Sequence, residues 1–268
     1  MTKKISFKNK SGHSISGVLN LPPGRPPFPA VVICHGFKGY KEQNHLKTLA
    51  IALAKSGVAS LRFDFTNEVG ESYGSIENIK FSQELGDLKS AIDYVCKQKF
   101  IKSDRIGLAG HSLGGQLVVH YAPTDKRVKA LVGLAGSYIH GQGKTNLEKN
   151  AINQMAEAKK GGYFYIVSKR TGKKYKIKID FYFDLIKHNT LAQAKKIKIP
   201  AMLIHGSKDS SVHISSSKII YNILRQPKKI VEIQGAPHTW RGKDDPGGKF
   251  QKQINQLAVS WFKKYLLI

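Results

Sequence analysis

The pentapeptide Gly110-His111-Ser112-Leu113-Gly114 constrains this chain more than any other stretch. It follows a short apolar run, Arg105 to Ala109, and precedes a helix-like run, Gln116 to Tyr121. A serine between a strand and a helix, with glycines two positions away on either side, fits a sharp strand-to-helix turn. The glycines leave room for the turn and let the helix pack closely on its strand. The Ser112 hydroxyl then projects into open space, and the Leu113 N–H points at the same space. Glycine and serine are common, so an ordinary Gly-rich turn is the rival reading. The choice rests on partners elsewhere in the chain.

The segments around this turn alternate. Strands are expected near Ile5 to Lys8, Ile15 to Asn20, Ala30 to Cys34, Gly57 to Phe65, Val128 to Ala135, Ala201 to His205 and Lys229 to Ile233. Helices are expected over 42–55, 79–98, 213–225 and 247–265. The first two strands read as a hairpin, and Pro22, Pro23, Pro26, Pro27 and Pro29 impose an extended linker after it. Ala30-Val31-Val32-Ile33-Cys34 is apolar without alternation, which requires burial on both faces. Strands alternating with helices predict an α/β fold, a doubly wound and mostly parallel sheet. A single domain spanning 1–268 accommodates it.

Residues 137–199 break the rhythm, because they separate two sheet strands by far more than an ordinary crossover. Within them a helix is expected over Leu147 to Lys160. Two strands, Tyr163 to Ser168 and Lys174 to Phe183, are expected around a Lys169-Arg170-Thr171-Gly172-Lys173 turn. In the second, Tyr175, Ile177, Ile179 and Phe181 alternate with Lys174, Lys176, Lys178 and Asp180. The segment is expected to be an inserted cap over the turn at Ser112. It holds 14 Lys and Arg against 4 Asp and Glu, with seven tyrosines and phenylalanines between Tyr163 and Phe183. Tyr163, Tyr165 and Tyr175 are its expected substrate-binding residues.

The formal charge of +26 can signal nucleic acid, an anionic surface or acidic substrates. The lysines are scattered, no nucleic-acid motif accompanies them, and no specific nucleic-acid partner is expected. No apolar run reaches the ~20 residues that span a membrane. Met1-Thr2-Lys3-Lys4 is not followed by the apolar stretch of a signal peptide, so a cytoplasmic location is expected. The 2 cysteines, Cys34 and Cys96, suggest neither a disulfide framework nor a metal knuckle. Metal and dinucleotide motifs are missing, so no metal and no cofactor are expected.

A nucleophilic serine needs a base, and the base needs an orienting carboxylate. In sheets of this kind reacting groups gather at the carboxyl ends of strands. Past His205 comes Gly206-Ser207-Lys208-Asp209, and past Ile233 comes Gln234-Gly235-Ala236-Pro237-His238. Asp209 and His238 are therefore the expected acid and base, with Asp184 of the insertion as the reserve acid. Of the other histidines, His35, His111 and His205 sit in strand-end motifs where a structural hydrogen bond is the expected role. An oxyanion needs two N–H donors. Leu113 supplies one, and Phe37, in His35-Gly36-Phe37-Lys38-Gly39 after the third strand, is the expected other.

With these residues in place the chain resembles α/β-hydrolase-fold serine hydrolases. The His-Gly-Phe-x-Gly turn, the Arg62-Phe63-Asp64-Phe65 strand end, the Gly-His-Ser-Leu-Gly elbow and the hairpin-bearing insertion resemble bacterial feruloyl/cinnamoyl esterase-like enzymes. The resemblance implies a cap hairpin that holds an aromatic acyl group over Ser112. One departure is the stretch Thr66-Asn67-Glu68-Val69-Gly70-Glu71-Ser72, one residue longer than the family's usual loop. The expected function is hydrolysis of small or aromatic-acid carboxylic esters through an acyl-enzyme. A peptidase, amidase or thioesterase on the same fold is the near alternative, and a non-catalytic binding protein with a basic surface the remote one.

Overall fold

The computed structural model describes residues 1–138, 152–154, 158, 160–168, 172–240, 245 and 247–267. Eight strands form one sheet: β1 (Thr2–Lys8), β2 (Ser14–Asn20), β3 (Phe28–Cys34), β4 (Ala59–Phe63), β5 (Ile101–His111), β6 (Val128–Leu134), β9 (Ala201–Gly206) and β10 (Lys228–Ile233). Their order is β1-β2-β4-β3-β5-β6-β9-β10. β2 runs antiparallel to β1 and β4. Every pair from β4 across to β10 is parallel.

The uniform apolarity of β3 has a plain cause in the two layers that cover it. Ala30, Val32 and Cys34 belong to the core that includes α2 (Phe81–Cys96) and α3 (Leu113–Tyr121). Val31 and Ile33 belong to the opposite core, with α1 (Asn44–Lys55) and the closing helix α7 (Lys249–Leu266). Side chains alternate across a strand, so a central strand needs apolar residues at every position. Val31, Val32 and Ile33 each contribute roughly 1.5–3 kcal/mol when fully buried. On β5, Gly107 has no side chain because the Phe262 ring of α7 occupies that space; a Cβ there would lie 2.6 Å from it.

Between β6 and β9 the chain makes a separate hairpin, β7 (Tyr163–Val167) paired antiparallel with β8 (Lys174–Lys178). The expected long second strand is corrected here. It stops at Lys178, and Asp180–Lys187 is a helix, α4. Phe181 fits the strand alternation by position, but it is buried together with Tyr182 and Leu185, which is helical spacing. Asp180 in the first turn of α4 favours the switch. The helix expected over 147–160 falls largely outside the described residues, as do Lys169, Arg170 and Thr171 of the expected turn. α5 (Thr190–Ala194) leads back to the sheet, and α6 (Ser215–Ile223) connects β9 to β10.

The returning segment docks on α3 through imidazoles. Thr190 Oγ1 lies 3.3 Å from His120 Nδ1 and accepts from Gln116 Nε2 at 3.1 Å. The His120 ring meets His188 edge-on at 5.2 Å between centroids and Phe81 at 5.7 Å. Burial first, then the charges of His188 and Lys196, push His120 down from 6.5 to about 4. Burial also lowers His188, against the opposing pull of Asp184. A histidine held neutral supports the fold fully above its ordinary titration and progressively less as pH falls through the gap. Stability measured by urea unfolding should therefore decline between pH 6.5 and about 4. His120→Phe should flatten that decline; an unchanged slope would remove His120 as its source.

Candidate active site

The turn at Ser112 is a strained strand-to-helix junction. Ser112 has φ 58° and ψ −118° at the N-terminus of α3. A side chain at Gly110 would run into the Gly114 carbonyl, and one at Gly114 into the carbonyls of Cys34 and His35. Those two glycines are what allow the crossing. Ser112 N–H donates to the Leu134 carbonyl at 2.9 Å, and Ser137 N–H donates to the Ser112 carbonyl at 3.3 Å. The junction is thereby tied to the end of β6.

The turn after β3 closes onto the serine. A Cβ on Gly36 would stand 2.8 Å from Ser112 Cβ, so only glycine permits this approach. Neither the Phe37 nor the Leu113 N–H donates to an acceptor among the described residues. Phe37 stacks on Phe181 of α4, with centroids 5.4 Å apart and planes 12° from parallel. His35 behaves as a structural hydrogen bonder: its Nε2 accepts the Phe65 N–H at 3.1 Å.

Asp209 and His238, distant in sequence, meet at the strand ends. His238 Nδ1 lies 2.7 Å from Asp209 Oδ2. The other carboxylate oxygen accepts the N–H groups of Ser211 and Val212, each at 2.9 Å. His205, fully buried, adds its Nε2 at 3.2 Å from Oδ2. Its Nδ1 is 2.8 Å from the Ser217 hydroxyl. The Val212 carbonyl, 2.9 Å from Nε2, can only accept and so calls for the His205 proton on that nitrogen. Burial alone would raise the Asp209 carboxyl. The hydrogen bonds from His205 and His238, the His238 charge and the Val212 N–H outweigh it and hold the group well below the carboxylate range.

His111 connects the elbow to this pair. Its Nε2 lies 2.8 Å from the His238 carbonyl oxygen, and its ring is 4.7 Å from the His238 ring. Burial first, then His45 and His238, lower its titration well below the ordinary histidine range, so it stands neutral. A neutral His111 donating to the His238 carbonyl anchors that loop. Trp240, fully buried and with φ 59°, packs edge-on against His111 at 5.9 Å. Sequence reasoning missed Trp240, whose only signal was its position two residues after His238.

The reserve acid lies elsewhere: Asp184 accepts the Ser82 N–H at 2.8 Å and stands 4.0 Å from His188. The three tyrosines separate. Tyr163 and Tyr165 alternate with the buried Phe164 and Ile166 and so occupy the outer hairpin face. There Lys176 lies 3.7 Å over the Tyr163 ring and Lys174 4.2 Å over that of Tyr165. Tyr175, paired with Ile166, shares the inner face and packs against the core. Among the described residues no three His, Cys, Asp or Glu side chains converge as a metal site. No helix among them is long and apolar enough to cross a membrane.

The sequence profile of the prolyl oligopeptidase family matches residues 53–267. The chain belongs to that family. It is 28% identical to an uncharacterised 31.7 kDa Escherichia coli protein encoded in the traX-finO intergenic region, over 96% of this chain and 98% of that one. It is 23% identical to esterase EstD of Thermotoga maritima, over 97% of this chain and 68% of EstD. The Butyrivibrio proteoclasticus Est1E structure with bound ferulic acid superposes with a TM-score of 0.77. That match has 22% identity and covers 96% of this chain and 98% of the other. The fold is that of the α/β hydrolases, and the chain is an enzyme of the serine hydrolase superfamily.

If Asp209 orients His238, Asp209→Asn should lower kcat by about 10⁴, since the amide no longer enforces the productive tautomer. Asp184→Asn should leave kcat near that of the parent. Steady-state assays on an aryl acetate separate the two, and the reverse pattern would move the acid into the 137–199 segment.

Proposed function

We propose that this family member is a carboxylic ester hydrolase working through a Ser112-His238-Asp209 triad. The observation that carries the reading is the 2.7 Å bond between His238 Nδ1 and Asp209 Oδ2. It is supported by two neighbouring N–H groups, Phe37 and Leu113, that lack acceptors among the described residues. Ser112 Oγ attacks the ester carbonyl while His238 Nε2 takes its proton. The carbonyl oxygen becomes an oxyanion, which accepts from the Phe37 and Leu113 N–H groups. Collapse breaks the carbonyl–alkoxy bond, and the imidazolium returns the proton to the departing alcohol. Water, deprotonated by the same imidazole, then attacks the acyl-Ser112 ester. The acid leaves and the proton returns to Ser112. His205 and Ser217 hold Asp209 in place throughout.

Residues 137–199 act as the cap in this reading, over a substrate that is a small-molecule ester. The Phe37–Phe181 stack supplies an aromatic surface at the oxyanion turn, with Tyr175 on the inward hairpin face. Tyr163 and Tyr165, on the outer face, have no part in it. A flat acyl group of the hydroxycinnamate kind gains about 0.5–1.5 kcal/mol for each added ring pair. A second reading, cleavage of peptide or amide bonds, is favoured by the family match, because the triad itself does not distinguish the two bonds. Matched aryl esters and anilides distinguish them: ester turnover alone supports the first reading, and comparable anilide turnover supports the second.

Ser112→Ala should lower kcat on the order of 10⁶-fold and abolish labelling by a fluorophosphonate probe, with the circular dichroism spectrum unchanged. Activity within tenfold of the parent would refute Ser112 as the nucleophile. Hydroxycinnamate esters should exceed aliphatic esters of equal size in kcat/KM by roughly 2- to 12-fold. Phe181→Ala should erase that preference while acetate-ester turnover persists. Equal rates on both ester classes in the parent protein would leave no aromatic acyl pocket to explain.

A further inference from the structure

The longer loop after β4 lies beneath the turn that carries the Phe37 N–H. Asp64, Glu68 and Glu71 fall within eight residues of a chain that has only 18 Asp and Glu. All three bind the 38–41 backbone or side chains. Lys41 N–H donates to Asp64 Oδ1 at 2.5 Å, and Lys41 Nζ contacts Asp64 Oδ2 at 2.6 Å and Glu71 Oε2 at 2.7 Å. These bonds secure the far end of the turn. Glu68 secures the near end. It is 4% exposed, and its Oε1 accepts the Lys38 N–H at 3.0 Å while its Oε2 accepts the Val69 N–H at 3.2 Å.

Lys38 is the residue directly after Phe37 and has φ 57°, a left-handed conformation that a lysine leaves unless held. We propose that Glu68 is a positioning residue for the reaction: its carboxyl, seated under the turn, fixes the Lys38 amide and thereby the direction of the Phe37 N–H. The inference rests on the ester-hydrolase reading, in which that N–H receives the oxyanion. Only the two backbone torsions of Phe37 separate the Phe37 N–H from the peptide plane that Glu68 grips. An oxyanion donor acts at about 2.7–3.1 Å, and a displacement near 1 Å can cost ~10²-fold. Burial raises the Glu68 carboxyl well above the ordinary range, against the two N–H bonds. A neutral carboxyl still accepts an amide N–H through its carbonyl oxygen, so the grip does not require a charge.

The test compares Glu68→Met, Glu68→Gln and Glu68→Asp in the full chain. Methionine fills the volume without an acceptor, glutamine keeps an oxygen for the Lys38 N–H, and aspartate retracts it by one methylene. Folding is checked by circular dichroism and melting, and kcat, KM and the Ki of an arylboronic acid are measured for each. Methionine and aspartate should lower kcat about ten- to a hundredfold with KM within about threefold of the parent. The boronate should weaken by the same factor as kcat/KM, since it forms the tetrahedral adduct that the turn stabilises. Glutamine should restore kcat to within about threefold of the parent. A merely structural role would move the melting temperature without tying boronate affinity to kcat. Parent-like kcat in folded Glu68→Met would overturn the proposal. If methionine does not fold, parent-like kcat in Glu68→Asp would do so. A folded Glu68→Gln whose kcat is as low as that of methionine or aspartate would also overturn it. Failure of the triad reading is visible separately, as retained turnover in Ser112→Ala.

Discussion

A serine held at φ 58° and ψ −118° costs about 1–3 kcal/mol relative to ordinary backbone, and much of this structure is arranged to keep it there. β5 is a central strand, paired with β3 as far as Gly110 and with β6 as far as His111, so the approach to the serine is held on both edges. α3 begins at once and cannot swing away, because Gly114 lies against the carbonyls of Cys34 and His35. Gly36 then brings the turn after β3 within van der Waals reach of the serine Cβ. A side chain at Gly36, Gly110 or Gly114 would push apart elements that the site needs in contact. The strain is offset by burial across both faces of the sheet.

The second organising fact is where this basic chain keeps its few acids. Asp209 is buried and accepts from two imidazoles and two backbone N–H groups. Asp64, Glu68, Glu84 and Asp87 are buried as well, close to the turn after β3 or to α2. Asp87 accepts from Asn9, Thr66 and Gln83, joining the N-terminal hairpin to the 66–72 loop. Surface lysines keep the molecule strongly positive, while the carboxyls of Asp64, Glu68, Asp87 and Asp209 organise backbone by accepting N–H groups. Charge at the surface and charge at the site are thus separate matters here.

Local pattern carried a good deal of the architecture. Continuous apolarity marked β3 as central, the glycine spacing marked the elbow, and strand-end position singled out Asp209 and His238 among many candidates. The strand expected through Phe181 rests on the same kind of local pattern. Ile177, Ile179 and Phe181 fit a two-residue period, and a helix starting at Asp180 buries Phe181 equally well. Short apolar patterns cannot separate these outcomes, because the partner surface decides which period is used.

The sequence by itself determined the alternation of strands and helices, the strand-to-helix turn at Ser112 and the order in which serine, acid and histidine occur. Those depend on side-chain period, glycine spacing and turn chemistry, which act between near neighbours. Only the tertiary structure decided that β4 lies outside β3, that His205 rather than solvent completes the shell of Asp209, and that Glu68 sits under Lys38. It also decided which tyrosines of the hairpin face inward. Each of these is a contact between segments distant in the chain, where the energy comes from what the fold brings together and local propensity carries no information about the partner.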